Sequence, residues 1–531
     1  MGASTSSEQI STEQKELESV AASTGALPIL QKAFSKLCDP QTNSIPLNSL
    51  HECFSLNFTN SIAEESSSVP ECFPKLLANL GSAIVNIFFT ADEGGFNWVE
   101  FLRGYIKCCG RASTSLSLNT LCRLYAATST KAGITSKLEF ESDDLDCKIS
   151  GSFMSTDVLL LLCLCWIMSQ NLSTWEGHEK IDLPDVKPLV LSAITACTDD
   201  DNALNVWDWS ISGSKVQLPA QKCHMWALTT VPSLGYCFAQ YVNARLRRFA
   251  SSEDNSEPSS LSLGNISSSE LGSTCLLTRG RAWATSLTLR GTVSEDLLVG
   301  CGPGNSDEEL ENLLYRSSIH GKGMNRFWAN VEGYHGPLLI LVSTTSGDTV
   351  PGGCVIGVLT NQGLESKDVF YGSSGYLYAI SPVFQVFAPY GKEKNYVYSH
   401  LHPSGRAYDP HPKPVGIAFG GTAGNERIFI DEDFARITLR HHAFDKTYQH
   451  GPLVPNQGFL PVEISILEVE VWGLGGAKVK EEQDAYKNRE TLFTQQRRKV
   501  DLKTFGNWED SPEKMMMDMV SNPNRVRREE R

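Results

Sequence analysis

A serine-rich break at residues 251–273 divides this chain into two stretches of different texture, and it constrains the fold more than any other feature. Ten of its 23 residues are serine, a composition that reads as a flexible linker. Upstream, from about residue 26 to 250, apolar residues recur at helical spacing, as in Leu30, Phe34, Leu37 and in Phe101, Leu102, Tyr105, Ile106. Downstream of Thr274 the pattern changes to short apolar runs, Leu338 to Val342, Val355 to Leu359, Val383 to Phe387 and Val415 to Phe419, separated by glycine and proline. A chain so divided is expected to be an α+β multidomain protein. Its parts are a flexible leader at 1–25, a helical domain at 26–115, a second helical domain at 116–250, the linker, a β domain at 274–476 and a charged helical tail at 477–531.

Composition removes several function classes. Charged residues are 20% and apolar ones 41% of the 531 residues, which is ordinary for a globular protein and unlike a disordered one. With 46 Lys and Arg against 61 Asp and Glu, the whole surface cannot hold nucleic acid by neutralising phosphate, and no nucleic-acid partner is expected. The fifteen cysteines are odd in number and form no CxxC pair, so they suit buried thiols in a reducing compartment better than a disulfide framework or zinc ribbon. Val158 to Met168 is the longest near-continuous apolar run and is too short for a membrane span of about 20 residues. A buried helix in a soluble chain is the expectation.

Two motifs in the first half invite chemistry. Met1-Gly2-Ala3-Ser4-Thr5-Ser6 fits an N-myristoylation signal with the lipid on Gly2; one such chain gives only weak, reversible membrane docking. Two helix-flanked segments also fit degenerate EF-hand loops. With Ile45 and Phe96 at the usual apolar position 8, the first loop lacks every carboxylate. The second supplies Glu93 at position 5, Gly94 at 6, Asn97 at 9 and Glu100 at 12, but Phe89 and Ala91 at positions 1 and 3. Glu93, Asn97 and Glu100 are thus weak calcium candidates, and a calcium-independent, EF-hand-like helix pair is the expected outcome. The basic residues Arg245, Arg247 and Arg248 suit the C-terminal end of their own helix.

In the second half, Arg427-Ile-Phe-Ile-Asp431 and Arg436-Ile-Thr-Leu-Arg440 alternate as half-exposed strands. Val462 to Trp472 alternates with Val462, Ile464 and Ile466 inward, then slips so that Val469 and Val471 take over, which predicts a β-bulge or a second buried face. One helix is expected over Ser306 to Arg316, capped by Ser306.

Leu313 to Phe327 with Val331-Glu-Gly-Tyr-His-Gly-Pro-Leu-Leu-Ile-Leu341 resembles the opening core of the TLDc domain. Matches continue in that family's order at Gly357, at Tyr371-Gly372 before Leu377-Tyr378, at Gly416-Ile-Ala-Phe-Gly-Gly421 and at Glu468-Val-Glu-Val-Trp-Gly473. The Gly2 signal, the EF-hand-like segment and the charged tail resemble the N-myristoylated, mTOR-associated branch. The resemblance implies an antiparallel two-sheet β-sandwich without catalytic activity, a link to oxidative-stress resistance and binding to subunits of the vacuolar proton-pumping ATPase. It also implies that the region after the domain, here from Lys478, enters a partner as a helix. Gly336, Pro337, Gly357, Gly372, Gly420, Gly421, Glu470 and Trp472 are then structural residues of the domain, with Glu468, Glu470 and Trp472 closing a sheet edge and Gly336-Pro337 fixing a turn.

Residues 478–531 carry 13 Lys and Arg and 11 Asp and Glu. Lys478 to Leu502 reads as a long polar helix whose few core residues are mainly Ala485, Leu492, Phe493 and Val500, followed by a second short helix after Ser511-Pro512 that presents Met515, Met516, Met517, Met519 and Val520. Phe493, Arg497, Arg498, Met515, Met516 and Met519 are the candidate partner-binding residues.

No GxxxxGK[ST], HExxH or GxSxG motif occurs, and Gly420 to Gly424 lacks the lysine of a phosphate loop. His400 and His402, with His411, His441 or His442, could ligate a metal only if they converged, and Cys275 or Cys354 beside a histidine could act as a redox thiol. No cofactor and no enzymatic activity are expected. The expected protein is an adaptor that binds the vacuolar ATPase, with a link to growth signalling, cytoplasmic and reversibly at an endolysosomal or vacuolar membrane. The alternatives are an oxidative-stress protein of cytosol or nucleus, or a thiol-based redox enzyme.

Overall fold

The computed structural model describes residues 12–56, 70–90, 95–142, 144, 146–170, 183–198, 205–210, 216–251, 275–299, 312–347, 350–391, 393–401, 413–506, 514, 516–517 and 520. Gly2, Glu93, Ser306, His402, His411, Met515 and Met519 lie outside them, as does most of the serine-rich segment.

The first helix, α1 (Thr12–Ser23), falls inside the stretch expected to be a flexible leader. It is held by partners from far along the chain: Glu18 accepts from Trp98 Nε1 at 2.8 Å and Glu13 pairs with Arg103. Two helix–loop–helix units follow. α2 (Leu27–Leu37) leads through β1 (Ile45–Pro46) to α3 (Leu47–Phe54), and α4 (Phe73–Phe88) leads through β2 (Gly95–Phe96) to α5 (Trp98–Cys109). β1 and β2 pair antiparallel with Ile45 opposite Phe96, the two residues that the loop alignment placed at equivalent positions. Their apolar faces merge, with Phe34, Phe89, Phe96 and Phe101 in one aromatic group.

The next segment is less purely helical than its periodicity predicts. α6 (Thr114–Lys131), α7 (Ser155–Ser169), α8 (Lys187–Cys197), α9 (Ala220–Thr230) and α10 (Tyr236–Ser251) surround a three-stranded sheet of β3 (Lys137–Phe140), β4 (Ile149–Met154) and β5 (Gln217–Pro219). These strands are short and one leads directly into α7, so their pattern is hidden by the stronger helical signal. α7 is buried from Asp157 to Met168 on every side, which accounts for the apolar run. Arg245 departs from expectation: it is buried and donates to Cys53 O at 2.5 Å and Ser55 O at 2.7 Å. It therefore satisfies the orphan carbonyls at the end of α3 rather than those of its own helix.

After α11 (Arg279–Ser286) and α12 (Thr292–Val299) comes the sheet region: β6 (Leu313–Arg316), the single turn α13 (Ser317–His320), α14 (Met324–Val331), β7 (Leu338–Thr344), β8 (Val355–Thr360), β9 (Lys367–Tyr371), β10 (Gly375–Ser381), β11 (Gln385–Phe387), β12 (Val397–His400), β13 (Gly416–Thr422), β14 (Asn425–Asp431), β15 (Arg436–Leu439) and β16 (Val462–Gly473). Leu313–Arg316 is thus a strand, not the end of a helix. Tyr315 pairs with Val471 and is fully buried, and this pairing outweighs the acidic, helix-like lead-in.

Among the described residues the ladder runs through one antiparallel sheet of eleven strands, in the order β11-β10-β8-β7-β16-β15-β14-β13-β12-β9 with β6 added on β16. The ladder is continuous through β16 and does not by itself establish the expected two-sheet sandwich. Both of its parts nevertheless feed one core, where Ile340, Val342 and Ile356 cluster with Ile417, Phe419, Ile428 and Ile437. The bulge expected in β16 is present between Ile466 and Glu468. Before it the strand pairs with β15 and is exposed on one face; after it the strand lies between β6 and β7 and is buried on both. Glu470 and Trp472 consequently sit in a central strand rather than at a closing edge.

β7 is buried along its whole length because its two faces serve two cores. Leu338, Ile340 and Val342 join the sheet core, while Leu339 and Leu341 join Tyr378, Ile380, Trp472, Trp283 of α11 and the helical half's Leu162 and Trp166. This two-sided burial explains a strand written as a continuous apolar run. The serine-rich segment separates the two halves in sequence, but apolar packing joins them in space. The last helix, α15 (Gly476–Gly506), follows β16 after two residues.

Candidate functional site

The tail helix has an anchored root and a free shaft. Its root lies against the end of α14, whose last carbonyls lack intrahelical partners. Gln483 is fully buried, and its amide donates to Asn330 O at 2.9 Å and Glu332 O at 3.1 Å. Lys487 Nζ donates to Asn330 O at 2.7 Å, adding a cation at the negative end of α14. Gly333 leaves room for Tyr486, because a Cβ there would lie 2.4 Å from that ring and the backbone is at φ +79°. Tyr334 OH accepts from Gly475 N at 2.7 Å, and Gly336 allows close approach of Gly475 and Val479. Gly336 and Pro337 thus shape the tail's root, with Leu474 N donating to Pro337 O at 2.9 Å.

From Asn488 to Lys499 every side chain is exposed. Leu492 and Phe493 are exposed, and Arg497 lies over the Phe493 ring at 5.8 Å. Met516 is also exposed. Ala485, Leu492 and Phe493, read from the sequence as the helix's core residues, therefore face solvent, whereas Val479, Gln483, Tyr486 and Lys487 make the contacts. Their spacing of three to four residues was a legible stripe, but a mostly polar one.

Two buried ionic networks brace the sheet that carries this helix. At the junction with the helical half, Glu470 accepts from Leu276 N at 2.8 Å, Leu277 N at 3.2 Å and Trp472 Nε1 at 3.1 Å, with Arg316 Nε 3.5 Å away. Glu468 accepts from Ser317 Oγ and from Ser318 N at 2.8 Å. Burial would raise its pKa, but these bonds and Arg316 outweigh that and hold it below the usual carboxylate range. In the second network Arg427 is fully buried, 3.0 Å from Asp445 Oδ2, and donates to Gly451 O at 2.8 Å while covering the Phe387 ring at 4.5 Å. Thr447 N and Oγ1 both donate to Asp445 Oδ1, at 2.8 and 2.7 Å. The strict alternation of Arg427 to Asp431 had placed Arg427 in solvent; it is instead a core cation.

The remaining predicted residues fall as follows. Asn97 Oδ1 accepts from Glu100 N at 2.9 Å and Glu100 Oε2 from Asn97 N at 2.8 Å, a reciprocal capping box at the start of α5. Two of the three calcium candidates, Asn97 and Glu100, thereby serve the helix end. Calorimetric titration of the full chain is expected to show no micromolar calcium binding at this loop, and saturable heat abolished by Glu100→Gln would contradict it.

Gly357 abuts Ile380 across the β8–β10 pair, Gly372 takes φ +82°, and Gly420 and Gly421 take φ +65° and +79° near the end of β13. Cys354 is buried with its thiol raised by desolvation, and Cys275 lies 3.4 Å from Arg316 Nη1. His441 stacks on Phe459, whereas His442 faces Asp445 at 3.7 Å. Among the described residues no three His, Cys, Asp or Glu side chains group as metal ligands.

Fold and site define an α+β protein in which a large antiparallel sheet, braced by buried ion pairs, presents a long helix. Residues 296–475 match the TLDc domain, so this chain carries a TLDc domain, packed on a helical half and followed by the projecting tail. No curated protein matches the chain. No described helix is long and apolar enough to cross a membrane.

Proposed function

We infer that the chain is a non-catalytic TLDc adaptor that binds the vacuolar proton-pumping ATPase, with the free shaft of α15 as its inserted element. The observation that carries this reading is the division of α15 into an anchored root and a twelve-residue span, 488–499, whose side chains are all exposed. An isolated polar helix is marginal in water, so one propagated from a fixed root presents its far residues to a partner at reduced ordering cost. Phe493, Arg497, Arg498 and the methionines after Ser511 supply aromatic, cationic and deformable apolar contacts, types enriched at protein interfaces. TLDc domains in general are linked to this pump and to oxidative-stress resistance, and the coarser family-level link rests on the matched domain. Myristate on Gly2 would add weak, reversible attachment to the endolysosomal or vacuolar membrane on which the pump resides, placing the chain near growth-signalling components there. The helix–loop–helix pair in the first half serves this reading as an EF-hand-like, calcium-independent module.

The test is capture of purified pump by the full chain and by a chain ending at Lys487. Truncation is expected to lower pump retention by roughly tenfold or more, about 1.4 kcal/mol, while leaving the melting temperature unchanged. Equal capture by both forms would overturn the role of the shaft. Absence of pump subunits from material captured by the full chain would overturn the adaptor reading and favour a stress protein of the cytosol or nucleus.

A further inference from the structure

Two thiols from different helices meet inside the helical half. Cys197 is the last residue of α8 and Cys223 lies in the first turn of α9, and their sulfurs are 3.5 Å apart. Both are buried. The approach is fixed by the helix pair: Trp226 Nε1 of α9 donates to Ser192 Oγ of α8 at 2.9 Å, and Leu189, Ala193 and Ala227 belong to the same core. A disulfide needs sulfurs about 2.05 Å apart, so closure asks for side-chain rotation and a small shift, not for separation of the helices.

We propose that Cys197 and Cys223 are a reversible peroxide-sensitive pair, forming a disulfide that links α8 to α9. The thiols differ in a way that assigns roles. The two sulfurs share one hydrogen bond; with Cys223 as its donor, that bond and Lys222 outweigh burial to lower the Cys197 thiol, whereas the bond and burial raise that of Cys223. Cys197 is therefore the attacking sulfur. Its thiolate displaces hydroxide from hydrogen peroxide as the O–O bond breaks, which leaves Cys197 as a sulfenic acid. The Cys223 sulfur, losing its proton, attacks that sulfur, forms the S–S bond and expels the second hydroxide. Both hydroxides are protonated, so two thiols and one peroxide give one disulfide and two waters. Because Cys197 closes its helix, exposing it to a small oxidant requires opening only the last turn of α8. The link would fix the helix on which the sheet rests, since Phe384 N donates to Pro188 O at 3.0 Å.

A second contact pair acts as an internal control. Cys165, in the middle of the buried α7, has its thiol raised by burial and by Cys237 of α10. That pair is expected to stay reduced.

The test treats the full chain with hydrogen peroxide, removes the peroxide, blocks residual thiols with N-ethylmaleimide in denaturant and maps non-reduced peptides by mass spectrometry. The expected result is a Cys197–Cys223 cross-linked peptide, reversed by dithiothreitol, with maleimide labelling of both residues falling on the order of tenfold. In Cys223→Ser the Cys197 sulfenic acid should accumulate and react with dimedone. Unchanged labelling of both residues in the wild-type chain would overturn the proposal. So would a disulfide from Cys223 to nearby Cys122, or sulfinic acid on Cys197 while Cys223 stays free.

Discussion

Replacing Arg427 with methionine is expected to lower the unfolding free energy by about 3–5 kcal/mol, the usual cost of removing one partner from a buried ion pair. Arg427 and Asp445 are both essentially inaccessible, so the lone carboxylate left behind has no water to replace the guanidinium. Gly451 O and Gln449 O would also lose their donor. Equilibrium urea unfolding measures the effect, and a loss under about 1 kcal/mol, in the range of exposed pairs, would contradict it.

The same substitution should change the response to acid. Burial pushes the Asp445 carboxyl up, but the nearby His442 ring, hydrogen bonds from Thr447 and the Arg427 charge outweigh it and hold the pKa well below the usual range. A carboxylate with a depressed folded pKa contributes stability that is complete above its unfolded value of about 3.9 and is lost as pH falls toward the folded one. The wild-type chain should therefore lose stability below about pH 4 more steeply than Arg427→Met, in which one of the stabilising charges is gone.

Glu470→Ala is expected to cost about 3 kcal/mol, because the amides of Leu276 and Leu277 and the Trp472 indole lose a buried acceptor while Arg316 loses a counter-charge. This carboxylate ties the first residues after the serine-rich segment to the central strand of the sheet. The specific sign of the role is local: amide exchange at Leu276 and Leu277 should accelerate beyond what the fall in global stability explains. Exchange that tracks global unfolding alone would show that Glu470 supports the fold without specifically tethering the segment at Leu276 and Leu277. Glu470→Gln, which keeps one carbonyl acceptor, should recover part of the loss.

The bulge in β16 was legible because a one-residue slip in a period-two pattern moves side chains to the opposite face. The equivalence of Ile45 and Phe96 was legible from loop spacing, and α7 from an apolar run too long for a strand. Arg427 was misread because alternation reports only which face a side chain occupies, and Asp445 and the carbonyls of Gln449 and Gly451 reach that face from a loop distant in sequence. Gln483 escaped notice for a related reason: its value lies in two carbonyls at the end of α14, some 150 residues earlier, and no local pattern encodes a partner so remote.

By itself, the sequence determined the helical and β halves, the register slip in the closing strand, the TLDc resemblance and a long polar helix at the end. These depend on periodicity and on short motifs, which are local. Only the tertiary structure decided that the halves share a core through β7, that two acids and two arginines are buried in pairs, that Cys197 meets Cys223, and where α15 leaves the body. Each of those outcomes depends on which distant groups meet once water is excluded, because burial turns a surface charge or an idle thiol into a paired one.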